Sequence, residues 1–153
     1  MGQITPTLVD GVKVTDQKII RLSDGNVFHS IKSLDDDFNG FGEAYFSSIN
    51  YGAVRAWKRH AKMTLNIVVP IGKIRFVLFD DREKSSTVNQ FSVIELSVSN
   101  YKRLTVPPML WMGFQGMSKN TNMLLNIADI LHDPKESDKK ELKEIIFDWS
   151  NTK

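Results

Sequence analysis

Turn chemistry recurs about every eight to twelve residues along this chain, and the apolar runs between turns have strand length and strand composition. Residues 12–14 (VKV), 19–22 (IIRL) and 27–28 (VF) come first. Asp24-Gly25-Asn26 joins the second to the third, and an Asp-Gly pair between apolar runs predicts a hairpin. Residues 43–49 (EAYFSSI), 66–70, 73–79 (KIRFVLF), 91–98 (FSVIELSV), 103–106, 110–114 and 123–127 (MLLNI) continue the series, rich in β-branched and aromatic side chains. Breaks fall at Asn50-Tyr51-Gly52, at Pro70-Ile71-Gly72, in the polar run 80–86 and at Pro107-Pro108. About ten short strands spaced in this way predict an all-β sandwich or barrel. Residues 134–149 read differently. Leu142, Ile145, Ile146 and Trp149 fall at helical spacing with Lys and Glu between them, which predicts a short C-terminal helix.

At 153 residues the chain is expected to form one domain, residues 1–153, with a substantial core. It has no cysteine, which excludes disulfides, a thiolate nucleophile and Cys-ligated zinc, and suits the cytoplasm. The formal net charge of +2 gives no global signal for nucleic acid or a membrane surface. No apolar run approaches the roughly 18 residues of a membrane span. The opening MGQITPTLVDG lacks a basic segment followed by an apolar one, so no secretory signal is expected. Asp35, Asp36 and Asp37 lack the spaced ligands and closing Glu of a calcium loop and read as a solvated turn.

The informative charge is local. Between Gly52 and Gly72 lie Arg55, Lys58, Arg59, His60 and Lys62, inside a strand-like run. Strand residues alternate faces, so Lys58 and His60 are expected on one face and Arg59 on the other. Cations within an apolar sheet are costly unless an anion or a carboxylate meets them. Either this strand lies at an open surface, or it lines a pocket for something negative.

The spacing around this strand resembles that of the cupins, which are jelly-roll barrels. Gly52, five residues, Lys58, one residue, His60, then Leu65 and Gly72 follow the skeleton of the first cupin motif. Lys58 and Leu65 stand at two of its three ligand places. In the second motif Met112 falls where the last ligand would be. One histidine is too few for a metal, so no metal and no cofactor are expected.

Within the cupins the chain resembles the dTDP-4-dehydrorhamnose 3,5-epimerase family over roughly residues 40–149. The matching segments are 54–60 (VRAWKRH), 72–82 (GKIRFVLFDDR) with Ser85-Ser86-Thr87, 104–114 (LTVPPMLWMGF), His132-Asp133-Pro134 and Phe147-Asp148-Trp149. The resemblance implies an all-β, cupin-type jelly-roll barrel. It also implies a metal-independent epimerase or isomerase acting on a nucleotide-linked 4-keto-6-deoxy sugar in surface polysaccharide or deoxysugar synthesis, and a homodimer. Lys58 stands at the family's catalytic base, Thr64 or Leu65 near its enolate-supporting lysine, and Leu124 or Leu125 near its acidic tyrosine. With those positions changed, the alternative is a non-catalytic cupin that binds a carbohydrate or nucleotide.

Proton abstraction beside a ketone needs a base, an acid on the other face and a cation for the enolate oxygen. Lys58 and His60 are the expected catalytic residues. Arg55, which matches the family's phosphate contact, is expected to bind substrate together with Arg59, Glu43, Tyr45 and Trp111. Arg suits bidentate phosphate recognition, and tryptophan can stack on a base or sugar.

Overall fold

The computed structural model describes residues 2–4 and 7–150. Met1, Thr5 and Pro6, from the segment read for a secretory signal, lie outside that range. In chain order the described residues form β1 (Gln3–Ile4), β2 (Lys13–Asp16), β3 (Ile19–Leu22), β4 (Gly25–Phe28), β5 (Glu43–Ile49), β6 (Val54–His60) and β7 (Leu65–Ile71). There follow β8 (Lys73–Phe79), β9 (Gln90–Ser97), β10 (Lys102–Val106), β11 (Trp111–Gly116), β12 (Asn122–Ala128) and β13 (Ser137–Lys139).

Two sheets pack face to face. One has the order β1-β9-β8-β11-β6-β13 and the other β2-β10-β7-β12-β5, while β3 and β4 pair separately as the expected Asp-Gly hairpin. Neighbours in the chain are largely dealt to opposite sheets, as β5 and β6 or β7 and β8 are, and this is the jelly-roll arrangement. Alternation then builds the core. Leu65, Ile67 and Val69 on β7 face Ile74, Phe76 and Leu78 on β8, with Leu96, Leu104 and Leu124 in the same buried cluster. At about 25 cal/mol per Å² of apolar surface, this interior is the main stabilising term.

A second apolar layer covers the outer face of the six-stranded sheet. Trp57, Val77, Phe91 and Trp111 pack there with Ile145, Phe147 and Trp149 from the C-terminal segment. The Trp57–Trp149 and Phe147–Trp149 ring centroids are 5.5 and 5.0 Å apart. Here the expected helix fails. The segment forms β13 and two single 3-10 turns, at Pro134–Glu136 and Leu142–Glu144. Beyond them it runs extended: Ile145 is buried, Ile146 is 72% exposed, and Phe147 and Trp149 turn inward again. β13 takes the edge of β6, and Trp57 and Lys140 exchange backbone hydrogen bonds at 3.0 and 3.1 Å. A surface helix would have left that edge unpaired, so tertiary pairing overrides the local helical period.

Candidate functional site

The site begins with an irregularity in β6. Lys58 pairs with Met112 and Arg55 with Phe114, so β6 advances three residues while β11 advances two. The extra residue is a β-bulge at Ala56-Trp57, opposite Gly113. A Cβ on Gly113 would lie 2.6 Å from that of Ala56 and 3.0 Å from the Trp149 ring, so glycine makes room for the bulge. The bulge resets the alternation. Trp57 and Arg59 face the outer layer, and Arg55, Lys58 and His60 all reach the same cavity between the sheets.

That cavity measures about 390 Å³. The β6 side supplies Arg55, Lys58 and His60, with Lys139 from β13 beside them. The opposite sheet supplies Tyr45, Ser47, Leu65, Leu124 and Asn126, and Met112 and Phe114 close the floor. Lys58 and Lys139 are register partners, and two like charges side by side on a ladder repel. Neither makes an ion pair among the described residues, and Arg55 meets only Ser47 Oγ, at 2.9 Å, and the Phe114 ring. Several other cations, by contrast, are held by carboxylates: Arg59 by Asp81 and Asp138, Arg82 by Asp80, Arg103 by Asp35 and Asp37, Lys73 by Glu95. Three cations without a carboxylate partner among the described residues, Arg55, Lys58 and Lys139, therefore share this one wall.

His60 is buried and its Nδ1 is paired with the Glu136 carboxylate. The second carboxylate oxygen accepts from the Lys62 and Met63 amides at 3.1 and 3.3 Å. Burial opposes ionisation of Glu136, but the His60 hydrogen bond and the two amides outweigh it and hold the carboxyl below the ordinary range. An ionised Glu136 accepting from Nδ1–H fixes the imidazole tautomer and leaves Nε2 bare, as a base requires. Across the cavity, Asn126 Nδ2 donates to the Tyr45 hydroxyl at 2.9 Å.

Four of the seven expected residues thus meet here: Arg55, Lys58, His60 and Tyr45. The other three sit elsewhere. Arg59 is on the outer face, bound to Asp81 and Asp138 and stacked 4.5 Å over Trp111. Trp111 is buried in the outer layer, donating to Asp81. Glu43, at the start of β5, lies outside the cavity lining. Sequence reasoning missed Glu136, Lys139 and Asn126. Only the alternation of β12, which sends Leu124 and Asn126 to one face, carried a signal for any of them.

A double-sheet jelly roll with a cavity between its sheets is a cupin-type fold, and in this one Lys58 and Met112 are register partners on neighbouring strands that both line the cavity. Among the described residues no three His, Asp or Glu side chains converge to hold a metal. The family model for dTDP-4-dehydrorhamnose 3,5-epimerase matches residues 41–151, and the chain belongs to that family. It is 26% identical over 136 residues to "Probable low-salt glycan biosynthesis epimerase Agl13" of Haloferax volcanii, covering 88% of this chain and 87% of the relative. It is 26% identical over 149 residues to the spore coat polysaccharide biosynthesis protein SpsL of Bacillus subtilis, covering 94% and 97%. The crystal structure of a dTDP sugar isomerase from Desulfovibrio desulfuricans G20 superposes with a TM-score of 0.90 at 34% identity, over 95% of this chain and 94% of that one.

Proposed function

We propose that the protein is a metal-independent epimerase or isomerase of a nucleotide-linked 4-keto-6-deoxy sugar, working in the cytoplasm in polysaccharide synthesis. The family and the polysaccharide roles named for its relatives support the substrate class. The observation that carries the reading is the wall of unpaired cations beside a carboxylate-backed histidine. Arg55 and Lys139 suit a diphosphate at the mouth, and Lys58 suits an enolate oxygen. His60 Nε2 is the base. It takes a proton from the carbon next to the ketone, the C–H pair becomes the enolate double bond, and the carbonyl electrons move to oxygen beside the Lys58 ammonium. Lys58, expected as the base, has no orienting partner among the described residues, whereas His60 has one in Glu136. A homodimer is proposed from the family resemblance.

The test is proton exchange. The protein is incubated in deuterated water with nucleotide-linked 4-keto-6-deoxy sugars while C3 and C5 are followed by NMR. Deuterium uptake at either carbon, lost in His60→Asn, is the expected result. Binding without exchange would make the protein a carbohydrate- or nucleotide-binding cupin instead.

A further inference from the structure

Inversion at a carbon needs a second proton carrier on the face opposite the base. The family's place for one, near Leu124 or Leu125, holds no titratable group, and Leu124 lines the cavity as a plain apolar side chain. One phenol does line it. Tyr45 projects from β5, on the sheet opposite β6, and is 43% exposed at the mouth. Tyr101 is committed elsewhere, its hydroxyl donating to the His29 carbonyl at 2.8 Å.

The environment of Tyr45 has the form a proton donor needs. Asn126, its register partner on β12, is 2% exposed and donates to the phenolic oxygen. With that oxygen accepting, the phenolic proton has no acceptor among the described residues and is left for a ligand. The same amide N–H remains in place to stabilise the phenolate after transfer. Asn126 Oδ1 is buried without a partner, so the side-chain amide's one hydrogen bond among the described residues is the one it gives to Tyr45.

The geometry points to Tyr45 as the second proton carrier, oriented by Asn126 as a positioning residue. This rests on the epimerase reading above. The phenolic O–H bond breaks and its pair stays on oxygen. The proton adds to the enolate carbon on the face away from His60, and the enolate electrons close the new C–H bond. Water then returns a proton to the phenolate at the exposed mouth, and the imidazolium releases one to water, so the cycle is proton-neutral.

The test separates wash-in from inversion, using dTDP-4-keto-6-deoxyglucose in deuterated water. Wild type is expected to exchange and to form the inverted product. Tyr45→Phe, which keeps the ring, is expected to go on placing deuterium on the starting isomer through His60 while inverted product falls about 100-fold. Its KM should stay within about threefold of wild type, since the loss belongs to the transition state. Asn126→Leu is expected to show the same kcat-against-KM split at about tenfold. Inverted product from Tyr45→Phe within about fivefold of wild type overturns the assignment. So does an equal loss of exchange and inversion, because Tyr45 would then be a binding group. Wild type that binds the sugar nucleotide but exchanges nothing removes the epimerase reading and this one together. Exchange that survives His60→Asn removes only the choice of base.

Discussion

Glu136→Gln probes the site at its most tightly determined point. The carboxylate does two jobs: one oxygen pairs with His60 Nδ1 and the other accepts from the Lys62 and Met63 amides. Glutamine has a single acceptor oxygen, and the two amides need it, so its NH₂ must face Nδ1. Nδ1 then has to be the bare nitrogen and the proton moves to Nε2, the wrong tautomer for a base. Losing general-base catalysis is worth about 10²–10⁴-fold in kcat. The proposed diphosphate contacts at Arg55 and Lys139 are untouched, so KM should hold. Replacing a charged hydrogen bond by a neutral one costs about 2 kcal/mol. With an unfolding entropy of about 2.1 cal/mol/K per residue over 153 residues, that lowers Tm by about 6 °C. Steady-state NMR assays give kcat, a thermal melt gives Tm, and nitrogen-15 imidazole spectra report the tautomer even where no turnover is seen. A variant with kcat within about fivefold of wild type and the proton on Nε2 would refute the assignment of His60 Nε2 as base.

Three further outcomes are expected. Arg55→Ala and Lys139→Ala should each shrink the Tm increase that a nucleoside diphosphate produces, which is about 2.7 kcal/mol of stabilisation at 100 times Kd; an unchanged shift in both would remove the anion wall. Gly113→Ala should destabilise by about 1–3 kcal/mol, because the new methyl meets Ala56 and Trp149, and it should weaken that diphosphate shift without touching a cavity side chain; full binding in a destabilised variant would separate the bulge from the site. Burial would push the Asp80 carboxyl up, but hydrogen bonds from Arg82, Ser85 and Thr87 win and hold it well below the ordinary range. A depressed folded-state value means stability is fully present above the unfolded value near pH ~4 and is lost as pH falls below it, so Asp80→Asn, costing about 3 kcal/mol at neutral pH, should also flatten the acid limb of a urea-melt series; an equally steep limb would assign acid unfolding to other carboxylates.

Strands were legible because period-two alternation and turn residues are local properties, and the Asp-Gly hairpin needed nothing else. The C-terminal segment was not, because IIFDW satisfies both periods. Ile145 and Trp149 are common to the helical and the extended reading, and only Ile146 against Phe147 decides between them. That choice is made by the open edge of β6, which lies more than 70 residues earlier, on the scale of the 76-residue separation of His60 and Glu136.

The same distance hides half of the site. Alternation places Lys58 and His60 on one face, and the structure agrees, but continued backwards it would put Arg55 with Arg59 on the outer face. One bulge, held open by a glycine on the neighbouring strand, brings Arg55 round to the cavity. β13 then docks on β6 in a register that sets Lys139 beside Lys58 and, in the turn before it, Glu136 against His60. A shift of one residue in that register would set Asp138 or Lys140 beside Lys58 and would carry Glu136 away from His60. The pairing of Lys58 with Lys139 therefore comes with the register that delivers Glu136. The charge that this register leaves uncompensated is what an anionic ligand would meet.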